Sequence, residues 1–303
     1  MLTPLLDVVL PVFAVAGVGF WYAGYKPFPV GAVTDLIIHV TAACLVFEAL
    51  AGADTFALSA ARAPASAALL ILGGIIAGLV AHRVVPQLRV LPRGAVVLPA
   101  AFMNAGNLGL PLMKLAYGEP GLETQMLFFV TFAAFQYSVG IALVRGRGGL
   151  QEVFRLPLVY AAVLGLVFNQ TGWRLPTAIA VPVHLLAQTV IPLMLLSLGA
   201  RVRTLVGGTA GRAAVGQIAM IAVLRMGVGL LMGLGVNLLL GNEGLVAKVT
   251  LLTASLPPAV MNFALVEKYG GDDPAGAAVV SGAIAAGTIL AVVVLPVLLS
   301  VVG

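Results

Sequence analysis

Ten apolar stretches follow one another along the chain, and each is close to the length a helix needs to cross a bilayer. Their approximate limits are 4–24, 28–50, 64–84, 94–114, 122–144, 157–172, 177–200, 212–240, 245–268 and 274–302. A hydrocarbon layer about 30 Å thick takes roughly 20 residues of α-helix. Inside that layer no water bonds to the backbone, so a spanning segment must satisfy its own amides, which a helix does. The sixth stretch is short and the eighth is long enough to tilt. Composition agrees: 61% of residues are hydrophobic and 9% charged, with a mean hydropathy of +1.12. A soluble domain carries about 25% charged residues. The expected fold is all-α and integral to the membrane, with ten transmembrane helices and no room for a large soluble domain.

The formal charge of +5 comes from 16 Lys and Arg against 11 Asp and Glu. In a soluble chain this excess would suggest nucleic acid. Here it points to loops that fix orientation, and no nucleic-acid partner is expected. With the N-terminus outside, the inner loops hold Lys26, Arg83, Arg89, Arg93, Arg145, Arg147, Arg155, Arg201, Arg203, Arg212 and Lys268. The outer side holds only Arg62, Lys114, Arg174 and Lys248. The asymmetry places both termini outside a cell membrane, plasma or inner. The lone cysteine, Cys44, excludes an intrachain disulfide. No Lys or Arg precedes the first apolar run and Asp7 interrupts it, so 5–24 reads as a retained helix.

The inner loop "RGRGGLQEVFR", 145–155, falls at mid-chain with five stretches on either side. The chain divides into 1–144, a linker at 145–156, and 157–303. An odd number of spans per half gives the halves opposite topology, the plan of inverted-repeat carriers with a midplane site at discontinuous helices. The fourth stretch of each half carries a related pattern: "AAFMN" ends at Asn104 and "PAVMN" at Asn262. Helix weakeners stand beside both, Gly106, Gly109 and Pro111 after the first, Pro257 and Pro258 before the second. A break in a spanning helix is tolerated where it is buried in protein or lines a wet cavity. Two broken helices crossing at the midplane would bring half-helix N-termini together, and their free N–H groups and positive dipole ends favour an anion. Asn104, Asn107 and Asn262 could donate to a carboxylate without adding fixed charge. The competing reading is a pair of kinked helices whose asparagines bond to neighbouring helices. The same design in corresponding helices favours the site.

Ionisable groups inside a span are functional suspects because lipid penalises them. Arg225 is the deepest cation; it would either meet the substrate carboxylate or pair structurally with a carboxylate or backbone carbonyls. His39, in the second stretch, titrates near neutral pH and suits proton coupling, or is a core histidine. Gln136 and Tyr137 would line the site if they face the crossing. Lys114 reads as an anchor or entrance charge, and Asp7, Glu48 and His184 as interface contacts. Gly229 and Gly233 read as small residues for close helix packing. No metal-ligand spacing, no phosphate-binding glycine loop and no serine with partner groups occurs, so neither a cofactor nor an enzyme is expected.

"NAGNLGLPL", 104–112, and "LPPAVMNFALVEKYGGD", 256–272, resemble signatures of the auxin efflux carrier family, and "PLMLLSLGA", 192–200, resembles its seventh helix. The resemblance implies two inverted five-helix repeats. Helices one, two, six and seven would form a scaffold that often mediates homodimers. Helices three to five and eight to ten would form a transport domain, with helices four and nine crossed. It further implies an elevator-like motion carrying organic anions, such as auxin-like acids, malate or malonate. The crossover would be Asn104, Gly106, Asn107, Gly109 and Pro111 with Pro257, Pro258 and Asn262. One departure stands out: the family's second helix commonly has a proline where this chain has Ala43, whereas the repeat-related Pro192 is kept. A one-sided scaffold break is therefore expected. The chain also lacks a long hydrophilic central loop.

The expected function is secondary transport of a small organic anion, driven by membrane potential, a proton gradient or the substrate's own gradient. Sodium-coupled uptake, as in bile acid carriers, is the alternative, followed by an anion channel or a membrane sensor.

Overall fold

The computed structural model describes residues 5–53, 59–146, 150–206, 212–270 and 274–302, and every named element in them is helical. Arg147 of the basic linker and the end of the second signature, Gly271 and Asp272, lie outside the described residues. The helices used below are α1 (Leu6–Tyr25), α2 (Val30–Gly52), α3 (Ser59–Val84), α4 (Arg93–Ala101) and α5 (Ala105–Arg145). They continue with α6 (Pro157–Thr171), α7 (Thr177–Val206), α8 (Ala214–Leu240), α9 (Gly244–Ala254), α10 (Met261–Tyr269) and α11 (Pro274–Val302).

Seven of these, α1, α2, α3, α5, α7, α8 and α11, are long and apolar enough to cross a membrane. The difference from ten expected spans has a physical origin. The stretch 94–114 is divided between α4 and the start of α5, 245–268 is divided between α9 and α10, and α6 has only 15 residues. The long α5 is itself sharply kinked at Gly118 (φ 68°, ψ −153°), so it takes in the end of the fourth stretch and all of the fifth. That backbone region is essentially open to glycine alone. Gly118→Ala should lower stability by about 1–3 kcal/mol, read as a drop in melting temperature with the helical signal preserved.

The helices have little polar face. Leu238, Leu239, Val293 and Ile76 are exposed on outer surfaces, which in water would invite association and in lipid matches the solvent. Inside, α1 lies along α7, and α2 packs on α6 and α7. A second set joins α3 to α4 and α5, and α8 to α9 and α11. Gly229 and Gly233 of α8 face Ala254 of α9 at distances where a Cβ would collide, the close packing that small residues permit. Phe102, Phe128, Leu108, Leu112 and Leu256 are buried around the two divided helices.

The one-sided scaffold break is not present. α7 runs unbroken through Pro182 and Pro192. In α2 the helix widens to a π-turn at Ile37–Thr41, just before Ala43, and continues. A π-turn adds a residue without ending the helix, so helix two departs from regularity without a proline.

Candidate functional site

The two divided helices meet at their gaps. After α4 the chain is non-helical through Phe102–Asn104, and after α9 through Ser255–Val260. The gaps form one antiparallel bridge, Met103 with Pro258. Asn104 N–H donates to Pro257 O at 2.8 Å, and Ala259 N–H donates to Phe102 O at 2.8 Å. Each break thus supplies the partners that the other lost. Prolines suit this place because Pro257 offers its carbonyl and neither Pro257 nor Pro258 has an N–H to leave unpaired.

The weakeners expected to make the first break lie just beyond it. Gly106 and Gly109 belong to a π-turn, Ala105–Gly109, and Pro111 is in the first turn of the helix that follows. Nothing in Phe102–Asn104 is itself a breaker; the cross-pairing with the second gap holds that segment open. Gln125 braces it from behind. Its Nε2 donates to Ala105 O (2.9 Å) and its Oε1 accepts from Thr253 Oγ1 (2.7 Å). Gln125 was not among the sequence candidates, because an interior amide gives no sign of its partners.

Arg225 is placed apart from the other candidates. It does not line the cavity described below, and it is 1% exposed. Its Nη1 donates to Ala100 O (2.9 Å), its Nε to Leu256 O (3.3 Å) and its Nη2 to Ala254 O. Ala100 and Ala254 stand at the C-terminal ends of α4 and α9, and Leu256 stands in the gap that follows α9. The structural alternative, backbone carbonyls, is the one realised, because the guanidinium is held on the side of the crossing where helix ends are negative.

The two corresponding asparagines also differ. Asn262 is 0% exposed and fully engaged: its Nδ2 donates to Phe102 O (2.9 Å) and its Oδ1 accepts from Gln136 Nε2 (2.8 Å). It does not line the cavity and is placed as a strut between the gaps. Asn104 is 3% exposed, and its Nδ2 has no hydrogen-bond partner.

Asn104 borders a cavity of about 390 Å³ that also takes in Gly106, Asn107, Gln136 and Tyr137. Helix starts meet there: residues 105–107 open α5 and Met261 opens α10. The first N–H groups of a helix have no intrahelical partner, and those ends are positive. His39 lines the same cavity, its Nδ1 3.0 Å from Asp35 O. The rim adds Asp35 of α2, Glu152 and Arg155 of the linker, Arg201 of α7 and Lys268 of α10. Glu152 and Arg155 pair at 3.2 Å. Among the charged lining residues, Arg201 and Lys268 then stand against Asp35. The Arg201 guanidinium lies over the Phe263 ring at 5.4 Å, and its Nε is buried without a partner. In sequence Arg201 is one of the inner-loop charges; the approach of α7 to α10 brings it to the cavity. Lys114 is placed elsewhere, paired with Glu119 at 2.8 Å across the Gly118 kink.

The arrangement offers a neutral amide, helix N-termini and two cations around a space that suits a small ligand. Among the described residues no three His, Cys, Asp or Glu side chains gather as a metal site. Residues 150–299 match the profile of the membrane transport protein family. An uncharacterized transporter of Methanothermobacter thermautotrophicus is 30% identical over 273 residues, which cover 86% of this chain and 85% of that protein.

Proposed function

Because this chain belongs to the membrane transport protein family, as an auxin-efflux-carrier-type membrane transporter, we propose that its cargo is a small organic anion bound in the cavity beside Asn104. The observation that carries the reading is the free Nδ2 of Asn104, buried at a cavity edge where two helices begin. A buried donor without a partner is costly, and native structures rarely keep one without a reason. A carboxylate would satisfy it, along with the open N–H groups of residues 106 and 107 and Met261. No fixed charge sits in the deepest part, which suits a carrier that must also release its load. Arg201 and Lys268 would draw the anion in through the rim.

In this reading the ten-span layout counts α5 as two arms and joins α4 to the first arm and α9 to α10. Helices α1, α2, α6 and α7 serve as scaffold, and the remainder moves as the transport domain. The rim residues Arg155, in the linker, and Lys268, in the last turn of α10, lie toward the expected cytoplasmic side, so the conformation is open inward. Export of an anion from a cell that is negative inside is downhill by about 2.3 kcal/mol per charge per 100 mV and needs no coupling ion.

The test is thermal stabilisation of the purified protein across carboxylic acids: auxin-like acids, malate, malonate and bile acids. Stabilisation by one class, growing with concentration, supports the reading. No response to any acid at high concentration overturns it. Arg201→Gln should weaken the apparent affinity by about tenfold at low salt and by less at high salt, because a rim charge acts over distances that salt screens.

A further inference from the structure

In carriers built on broken helices, half-helix N-termini face the anion while unwound carbonyls and half-helix C-termini coordinate the coupling cation. Both kinds of end are present here, on opposite sides of one crossing. The N-termini of α5 and α10 border the cavity. The C-termini of α4 and α9 present Ala100 O and Ala254 O, the unwound segment after α9 presents Leu256 O, and all three accept from Arg225. The last carbonyls of a helix lack intrahelical donors and together carry about half a negative charge.

We propose that the Arg225 guanidinium is a tethered cation in the place a coupling sodium ion would take, so that this transporter works without sodium. The inference rests on the transport reading above and assigns its ion dependence. Arg225 is buried, and among the described residues no carboxylate pairs with it. A buried cation held by carbonyl dipoles alone is an unusual thing for a protein to keep, since desolvation penalises it and a hydrophobic residue would pack there more easily. Its surroundings are shaped to hold it. Helix α8 passes through a π-turn at Leu224–Val228 that contains Arg225, a local irregularity that often marks functional positions. Gly229 leaves room: a Cβ there would lie 2.5 Å from Arg225 Nη2 and closer still to Ala254 O.

A metal ion on these carbonyls would have to displace the guanidinium or sit beside it, and like charges in a buried site repel. Arginine also keeps its charge at all working pH values. A free ion binds, travels and dissociates, and so couples its gradient to the cargo. A tethered one rides out and back with its helix, holds the helix ends together, and contributes no net gradient energy.

The experiment compares wild type with Arg225→Ala by melting temperature, without any carboxylate present, in sodium, potassium, choline and low, non-denaturing guanidinium chloride. The wild type should melt alike in sodium, potassium and choline. Arg225→Ala should melt several degrees lower and regain at least half of that loss in guanidinium, with partial recovery in sodium. Arg225→Lys should lie between the two, since an ammonium reaches fewer carbonyls. Gly229→Ala, which displaces the guanidinium, should lower the melting temperature without cation rescue. A folded Arg225→Ala protein that recovers in no cation would overturn the proposal and leave Arg225 a simple strut. If Arg225→Ala does not fold, the wild type decides: stability or carboxylate binding that rises specifically with sodium overturns the proposal, and indifference to sodium upholds it. Because the melting measurements need no cargo, failure of the anion reading would show as silence toward acids while cation rescue persists.

Discussion

Asn104→Ala should weaken carboxylate binding by about ten- to a hundredfold while the protein folds, inserts and melts nearly as before. The Asn104 Nδ2 has no partner in the protein, so its removal breaks no internal hydrogen bond from that atom and relieves a buried, unsatisfied donor. A hydrogen bond to a charged group contributes roughly 1.5–3 kcal/mol, and each 1.4 kcal/mol is a factor of about ten in affinity. Titration of the thermal shift with the acid that stabilises the wild type measures the change directly. An unaltered titration curve in a folded Asn104→Ala protein would remove Asn104 from the site.

The corresponding asparagine should behave in the opposite way. Asn262→Ala removes the donor to Phe102 O and the acceptor for Gln136 Nε2, both buried. Gln136 Nε2 is left unpaired at a cost of roughly 1–3 kcal/mol, while Phe102 O keeps its bond from Ala259 N–H and loses a second one worth about 0.5–1.5 kcal/mol, so the loss should reach about 1.5–4.5 kcal/mol, a large share of ordinary protein stability. Denaturation of the variant, or its yield as a folded protein, is the readout. Whatever fraction folds should still show the Asn104-dependent response to carboxylate. If Asn262→Ala melts like the wild type but no longer responds to acid, then Asn262 is a ligand and the two asparagines share one role.

That contrast marks where sequence reasoning stops. The Met-Asn pattern at corresponding places in two halves, beside clustered prolines and glycines, was enough to find both divided helices. It could not tell the two asparagines apart, because their difference lies in what crosses them. Asn262 meets the Phe102 carbonyl 160 positions earlier in the chain, whereas Asn104 meets the cavity. The location of the first break was hidden for a similar reason. Phe102, Met103 and Asn104 form no breaker motif, and the segment stays open because Pro257 O and Ala259 N–H pair with it. Gly106, Gly109 and Pro111 mark the region as breakable but lie just beyond the break itself.

The charged residues show the same limit. A lone arginine in an apolar stretch marks Arg225 as a charge inside a span, and it is buried, but backbone carbonyls of distant helices leave no trace in composition. Arg201 gave the reverse error. Near the end of α7 it resembled a topology-setting loop charge, and only tertiary contact with Phe263 brings it over the cavity. Gln125 gave no signal at all. The apolar stretches were the most legible feature, since lipid imposes a length and a composition on each span. Seven helices meet that standard outright. The stretches at 94–114 and 245–268 do not form single helices, because the non-helical gaps at Phe102–Asn104 and Ser255–Val260 interrupt them.

The most direct measurement is counterflow in sodium-free proteoliposomes, using whichever carboxylate stabilises the purified protein, with Asn104→Ala beside the wild type. The account predicts saturable uptake of labelled acid that is accelerated by unlabelled acid inside the vesicle, unchanged when sodium is added, and lowered about tenfold or more by Asn104→Ala. Flux that does not saturate, or that is the same in wild type and Asn104→Ala, would contradict a carrier whose anion site lies at the crossing of the two broken helices.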